Sequence, residues 1–180
     1  MTQPAAIPIT AWSGFEATWY PQVVVGQTNV APPQSFADNS YWAVVLDLTN
    51  PTGDPLANVQ FTDNSTVPPV LAALAGQANA LMILVTYTLR ADNVPQGALF
   101  DFLHMAGAGV ELNRAEQINS QLGTGAFGAY AYTLAATLSD QDLPGIETFS
   151  YTDNSIMTLQ LIPVQMPDGS YVYSPAMVSA

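Results

Sequence analysis

Hydrophobic and polar positions divide this chain into short segments, most with the unbroken apolar character or the alternation of β-strands. Tyr41 to Thr49 (YWAVVLDLT) is β-branched and aromatic and stops at Asn50-Pro51-Thr52-Gly53-Asp54-Pro55, a strong turn composition. Asn58 to Thr62 follows as the return strand of a hairpin. Ala80 to Thr88 (ALMILVTYT) is the most hydrophobic stretch and predicts a central strand covered on both faces. Gly128 to Leu138 and Ser155 to Val164 read as further strands. The turn Met166-Pro167-Asp168-Gly169-Ser170 then brings Ser170 to Tyr173 back in a terminal hairpin.

Helical spacing appears three times. Val67, Val70, Leu71 and Leu74 recur between Pro68-Pro69 and Gly76, which predicts one short amphipathic helix. Ala98, Phe102 and Met105, with Leu99 and Leu103 beside them, predict a second helix closed by Gly107. Asn113 followed by Glu116 has the form of a capping box, and Leu112, Ala115, Ile118 and Leu122 recur up to Gly123. The spacing therefore predicts a third helix beginning at Arg114 under an Asn113 cap.

Residues 1–40 differ from the rest. They hold Pro4, Pro8, Pro21, Pro32 and Pro33 among short β-prone pieces, Phe15 to Tyr20 and Gln22 to Val25. Missing amide donors argue against a regular central strand there. The expected architecture is an extended N-terminal arm over 1–40 and a single β-rich α+β domain over 41–180. That domain would be mainly antiparallel sheet or sandwich, with two to three short helices. Trp12, Trp19 and Tyr20 lie in the arm, where they are candidates to anchor an interface or to stack on a glycan. Trp42 begins a strong strand and is expected in the core.

Composition narrows the partners. Lys+Arg is 2, both arginines (Arg90 and Arg114), against 14 acidic residues, and only 9% of the chain is charged. Without clustered cations there is nothing to neutralise phosphates, which excludes nucleic acid and an anionic membrane surface. So little charge also fits a surface covered by other subunits, because interface cores are charge-depleted. There is no cysteine, hence no disulfide and no thiolate chemistry. The longest strongly apolar run, Ala80 to Val85, is far shorter than the roughly 20 residues of a membrane span, and residues 1–6 do not have the form of a secretory signal.

Catalytic candidates are few. His104 is the only histidine, and no Gly-x-Ser-x-Gly elbow accompanies it, so a structural or surface role is expected. Asp140 with Asp142, Asp63 with Asn64, and Asp153 with Asn154 could each offer oxygens to calcium. None has EF-hand spacing, and solvated turns are the expectation. The phrases Phe61-Thr62-Asp63-Asn64-Ser65 and Tyr151-Thr152-Asp153-Asn154-Ser155 echo one another as strand-ending caps. Asn64-Ser65-Thr66 has the form of an N-glycosylation acceptor. The expectation is no enzyme, no cofactor and no metal.

From Trp42 to Leu138 the element order, with the phrases VLAALAG, LMILVTYT and LNRAEQINSQLG, resembles the interleukin-like EMT inducer domain. The resemblance implies binding and signalling rather than catalysis, and related modules bind carbohydrate or occur in bacteriophage tail proteins. This chain departs from the family in lacking cysteine, in the insertion Asn93 to Gly109, and in having Gly123-Thr124-Gly125-Ala126-Phe127 where an arginine-containing phrase is expected. No ligand-binding residue is carried over.

Two readings of function follow. The first is a self-associating structural protein, a homo-oligomer or a partner of other structural subunits, in a virion (phage tail or capsid decoration) or an extracellular filament. The alternative is a carbohydrate-binding module.

Overall fold

The computed structural model describes residues 3–122, 129–139 and 143–177. Strands make up 42% of the described residues and helices 16%, so sheets form the frame and helices cover it. In chain order the elements are β1 (Ile7–Ser13), β2 (Gln22–Val25), β3 (Thr28–Asn29), β4 (Ser40–Asp47), β5 (Ala57–Phe61), α1 (Pro69–Ala72) and β6 (Ala80–Tyr87). There follow α2 (Gly97–Met105), α3 (Val110–Leu122), β7 (Ala131–Thr137), β8 (Ile146–Ser150), β9 (Ser155–Gln165) and β10 (Tyr171–Met177). They form a single α+β domain with two five-stranded antiparallel sheets. The inner sheet has the order β5-β4-β6-β7-β8 and the outer sheet β10-β9-β1-β2-β3.

The inner sheet is buried on both faces. All eight residues of β6 are buried, as the unbroken apolar run predicted. On one face Ala43, Val45, Met82, Leu84, Tyr132 and Leu134 pack against Leu71, Leu99, Leu103 and Leu112 of the three helices. On the other face Trp42, Val44, Leu46, Leu81, Ile83 and Val85 meet Ile9, Ala11, Val23, Val25, Leu159 and Leu161 of the outer sheet. The layers therefore run helices, inner sheet, outer sheet. At roughly 1.5–3 kcal/mol for each large apolar side chain removed from water, these two cores dominate the fold.

The first 40 residues are not an arm. β1 is the middle strand of the outer sheet, paired with β2 on one side and with β9 on the other. Pro8 is tolerated because a strand residue turns its amide and carbonyl to the same side. The Pro8 carbonyl accepts from Gly26 N at 2.7 Å, so its missing donor faces the β2–β3 turn and leaves the β9 ladder intact. The proline-bearing stretch 30–38 is irregular, and it lies on its own domain. There Asn58 Nδ2 donates to Ala31 O and Gln60 Nε2 to Gln34 O. Phe15 to Tyr20, read as β-prone, forms turns instead.

A chain of hydroxyls joins the sheets where β1 ends. Ser13 Oγ donates to Tyr132 O at 2.6 Å and accepts from Thr86 N at 3.0 Å, while Thr133 Oγ1 donates to Ser155 Oγ at 3.2 Å. Each polar group buried at this seam has a partner, which removes the penalty for placing it in the core.

The helices follow their apolar spacing, but one start is different. α2 ends at Met105 and is closed two residues on by Gly107, whose φ of +104° suits glycine. α3 begins at Val110, so Asn113 lies inside it and is not its cap. The cap comes from β8: Glu147 Oε2 accepts from Gly109 N at 2.9 Å and Glu111 N at 3.2 Å, and Oε1 from Leu112 N at 3.2 Å. The Tyr132 hydroxyl, pushed well above its usual pKa by burial and by this carboxylate, stays protonated and donates to Oε1 at 2.6 Å. A negative group at a helix start also opposes the helix dipole favourably. Arg114 sits in the second turn, paired with Glu111 at 2.8 Å.

A contrast between two variants tests this assignment. Glu147→Gln should lower unfolding stability by about 1–3 kcal/mol, because an amide cannot accept all four hydrogen bonds. Asn113→Ala should change it by less than about 0.5 kcal/mol. Equal losses by urea denaturation would restore Asn113 as the cap.

Candidate functional site

The loop after β1 is built to hold two aromatic side chains outward. Gly14 leaves the outer sheet and joins the end of β6: its amide donates to Thr86 O at 3.0 Å and its carbonyl accepts from Thr88 N at 2.8 Å. A Cβ on Gly14 would lie 1.9 Å from the Trp19 carbonyl oxygen, so glycine is required by the close return of the loop. Phe15 N donates to Asn154 Oδ1 at 2.9 Å, the Tyr87 hydroxyl to Ala17 O at 2.7 Å, and Trp19 N to Glu16 O at 3.0 Å. The loop is thereby fixed at both ends and in the middle.

Trp19 and Tyr20 leave this loop in different directions. Trp19 stacks on Trp12 with ring centroids 5.5 Å apart and planes 19° apart, yet remains 50% exposed. Tyr20, 58% exposed, stacks on Tyr87 at 5.3 Å and lies 6.2 Å from Phe36, which in turn meets the buried Trp42 edge-on. Beside Tyr20 opens a cleft of about 370 Å³ lined by Gln22, Asn29, Gln34, Ser35 and Phe36, among others. The Trp12 indole Nε1 is covered and has no hydrogen-bond partner.

The structure thus brings Trp12 and Trp19 together and places Tyr20 in an adjoining cluster. Phe36 and Tyr87 were not singled out by sequence. Phe36 sits in a proline-bearing loop and Tyr87 at the end of an apolar strand, and neither position signals membership of an aromatic cluster. Trp42 is in the core as expected, with Nε1 donating to Asn58 Oδ1 at 2.7 Å.

Trp12 also belongs to the solvent-facing side of the outer sheet. Strand alternation puts Gln22 and Val24 of β2, Pro8, Thr10 and Trp12 of β1, and Ile156, Thr158, Gln160 and Ile162 of β9 on that side. None of these carries a charge. Ile156 beside Trp12 is 52% exposed and Ile162 is 38% exposed.

Other candidates resolve into local structure. His104 is exposed on α2 with its ring 5.8 Å from Phe100. Asp63 accepts from Ser65 Oγ, Ser65 N and Thr66 Oγ1, which lowers its pKa to about 2. The Asn154 oxygen is used by Phe15, and Asp153 Oδ1 accepts from Asn154 N at 2.7 Å. Asp140 and Asp142 lie outside the described residues. No group of three or more His, Asp or Glu is placed to hold a metal among the described residues. In the glycosylation motif, Asn64 Nδ2 donates to Val94 O at 2.9 Å, so the acceptor nitrogen is engaged. No helix among the described residues is long and apolar enough to cross a membrane.

No family model and no curated protein matches the chain.

Gly14→Ala should push the Trp19 carbonyl away and cost about 1–3 kcal/mol of stability. Circular dichroism should show the coupled signal of the stacked Trp12 and Trp19 indoles in the native protein and its loss in the variant. An unchanged signal would mean that the loop does not depend on the glycine.

Proposed function

We propose that this protein is a non-catalytic module that binds neutral carbohydrate at the corner formed by Trp19, Tyr20 and the adjoining cleft. The observation that carries this reading is the exposure of two aromatic rings on a loop braced by hydrogen bonds, next to the amide side chains Gln22, Asn29 and Gln34. An exposed ring face takes the apolar face of a sugar, and amides donate to and accept from its hydroxyls. Because the loop is already ordered, little conformational entropy is lost on binding. A net charge of -12 with no lysine disfavours acidic glycans, so the ligand class is neutral.

A second reading is favoured by the uncharged side of the outer sheet with Ile156 and Ile162 exposed: self-association, as a subunit of a virion or extracellular assembly. Two acidic chains approach most easily through a surface that carries none of their charge.

A glycan array of neutral and acidic oligosaccharides, followed by titration calorimetry on any hit, separates the two. Trp19→Ala should weaken binding of a neutral glycan at least about tenfold, equivalent to about 1.4 kcal/mol. Sedimentation should show one 19.1 kDa chain. Silence across the array, together with oligomers that Ile156→Lys dissociates, would replace carbohydrate binding by assembly.

A further inference from the structure

On another side of the sandwich the two sheets part. Between β7 and β8 of the inner sheet and β10 of the outer sheet lies a crevice of about 580 Å³. It lies within the range of roughly 300–1,000 Å³ that takes whole small molecules. Its wall is continuous with the inter-sheet core, since Ala135, Ile146, Val172 and Tyr173 belong to both. Two features keep it open. Ala135 offers only a methyl group to the inter-sheet core that β6 and β9 fill with Leu81, Ile83, Leu159 and Leu161, and Ala78 and Ala136 likewise line the crevice with methyl groups. The edge of β10 is held in place by the bond from Tyr173 N to Leu48 O at 2.8 Å, and Pro175 offers no donor.

The surroundings of the crevice are unusual for a surface in water. Leu143, Val164, Met166 and Met177 line it, and they are 46%, 47%, 41% and 64% exposed. Every square ångström of such apolar surface left in water forgoes about 25 cal/mol. Among the described residues no lining side chain is charged, and the polar ones are the hydroxyls of Thr137, Tyr173 and Ser174. An anionic amphiphile would find no cation here and would approach a chain of net charge -12.

We infer that this crevice is a binding site for a neutral molecule with a hydrocarbon body and a hydroxyl-type head. The apolar body would continue the inter-sheet core outward, and the head would reach Tyr173, Ser174 or Thr137. Flexible, polarisable Met166 and Met177 side chains fit such a site because they adapt to an irregular apolar surface. The site is separate from the aromatic corner and does not depend on the function proposed for it.

The test uses the full chain, the neutral dye Nile red as probe, and 1-dodecanol against dodecanoate as competitors. Nile red should bind saturably at one site, and dodecanol should displace it at least tenfold more effectively than dodecanoate. Ala135→Leu, which occupies the wall, and Met177→Lys, which puts an ammonium on an exposed lining position, should each weaken Nile red at least tenfold, while Trp19→Ala leaves it unchanged. Met177→Lys keeps the test valid if the larger Ala135 side chain perturbs folding. Absence of saturable binding, equal or better displacement by dodecanoate, or loss of the signal in Trp19→Ala would each overturn the inference. So would a dimer that Met177→Lys dissociates, since a second copy would then cover the crevice.

Discussion

The inner sheet must be covered twice, and every other layer answers to that constraint. β6 has no polar face to turn toward water, and its neighbours β4 and β7 are buried over nearly their whole lengths. A strand of this kind is stable only between two apolar surfaces. The helices α1 to α3 supply one, and the outer sheet supplies the other. The chain between β6 and β7 is therefore spent on helices, and β1, β2 and β9 come from opposite ends of the sequence to meet across the second face.

Covering the inner sheet in this way leaves the outer sheet as the layer with a free side. Its alternation is of the half-buried kind, with Ile9, Ala11, Met157 and Leu159 inward and Thr10, Trp12, Thr158 and Gln160 outward. The outward set carries no charge, although the whole chain is strongly acidic. Charge is found elsewhere, as with Glu111, Arg114 and Glu116 on α3 and Glu147 on β8 of the inner sheet. The chain therefore presents an uncharged sheet side, bordered by an aromatic corner, on an acidic body. This arrangement is what supports the proposal of a neutral ligand.

Two buried connections decide how firmly that corner is held. The hydroxyl seam around Ser13 and Thr133 ties the end of β1 to the inner sheet, and Gly14 then turns the chain along β6. Because the loop of Trp19 and Tyr20 begins at this tie, its position is set by the core and not by its own composition. Glu147 plays the same part on the opposite face, where one carboxylate from an edge strand fixes the start of α3.

Local sequence determined the elements whose stabilising partners are near in the chain. The β4–β5 hairpin, the fully buried β6, the closing of α2 at Gly107 and the β9–β10 hairpin follow from hydrophobic period and turn residues. Tertiary structure alone decided the rest, because the partners are far apart in sequence. Pro8 sits in a central strand only because Gly26 and β9 arrive on the correct sides of it. The cap of α3 is Glu147 rather than Asn113 because β8 brings a carboxylate 36 residues onward to the amide of Glu111. Trp12 and Trp19 stack because Gly14 permits a return that local propensity does not encode, and Tyr20 finds Phe36 and Tyr87 only once both sheets are in place. Hydrophobic periodicity reports which face of an element is buried, but not which distant element buries it; the site depends on the second.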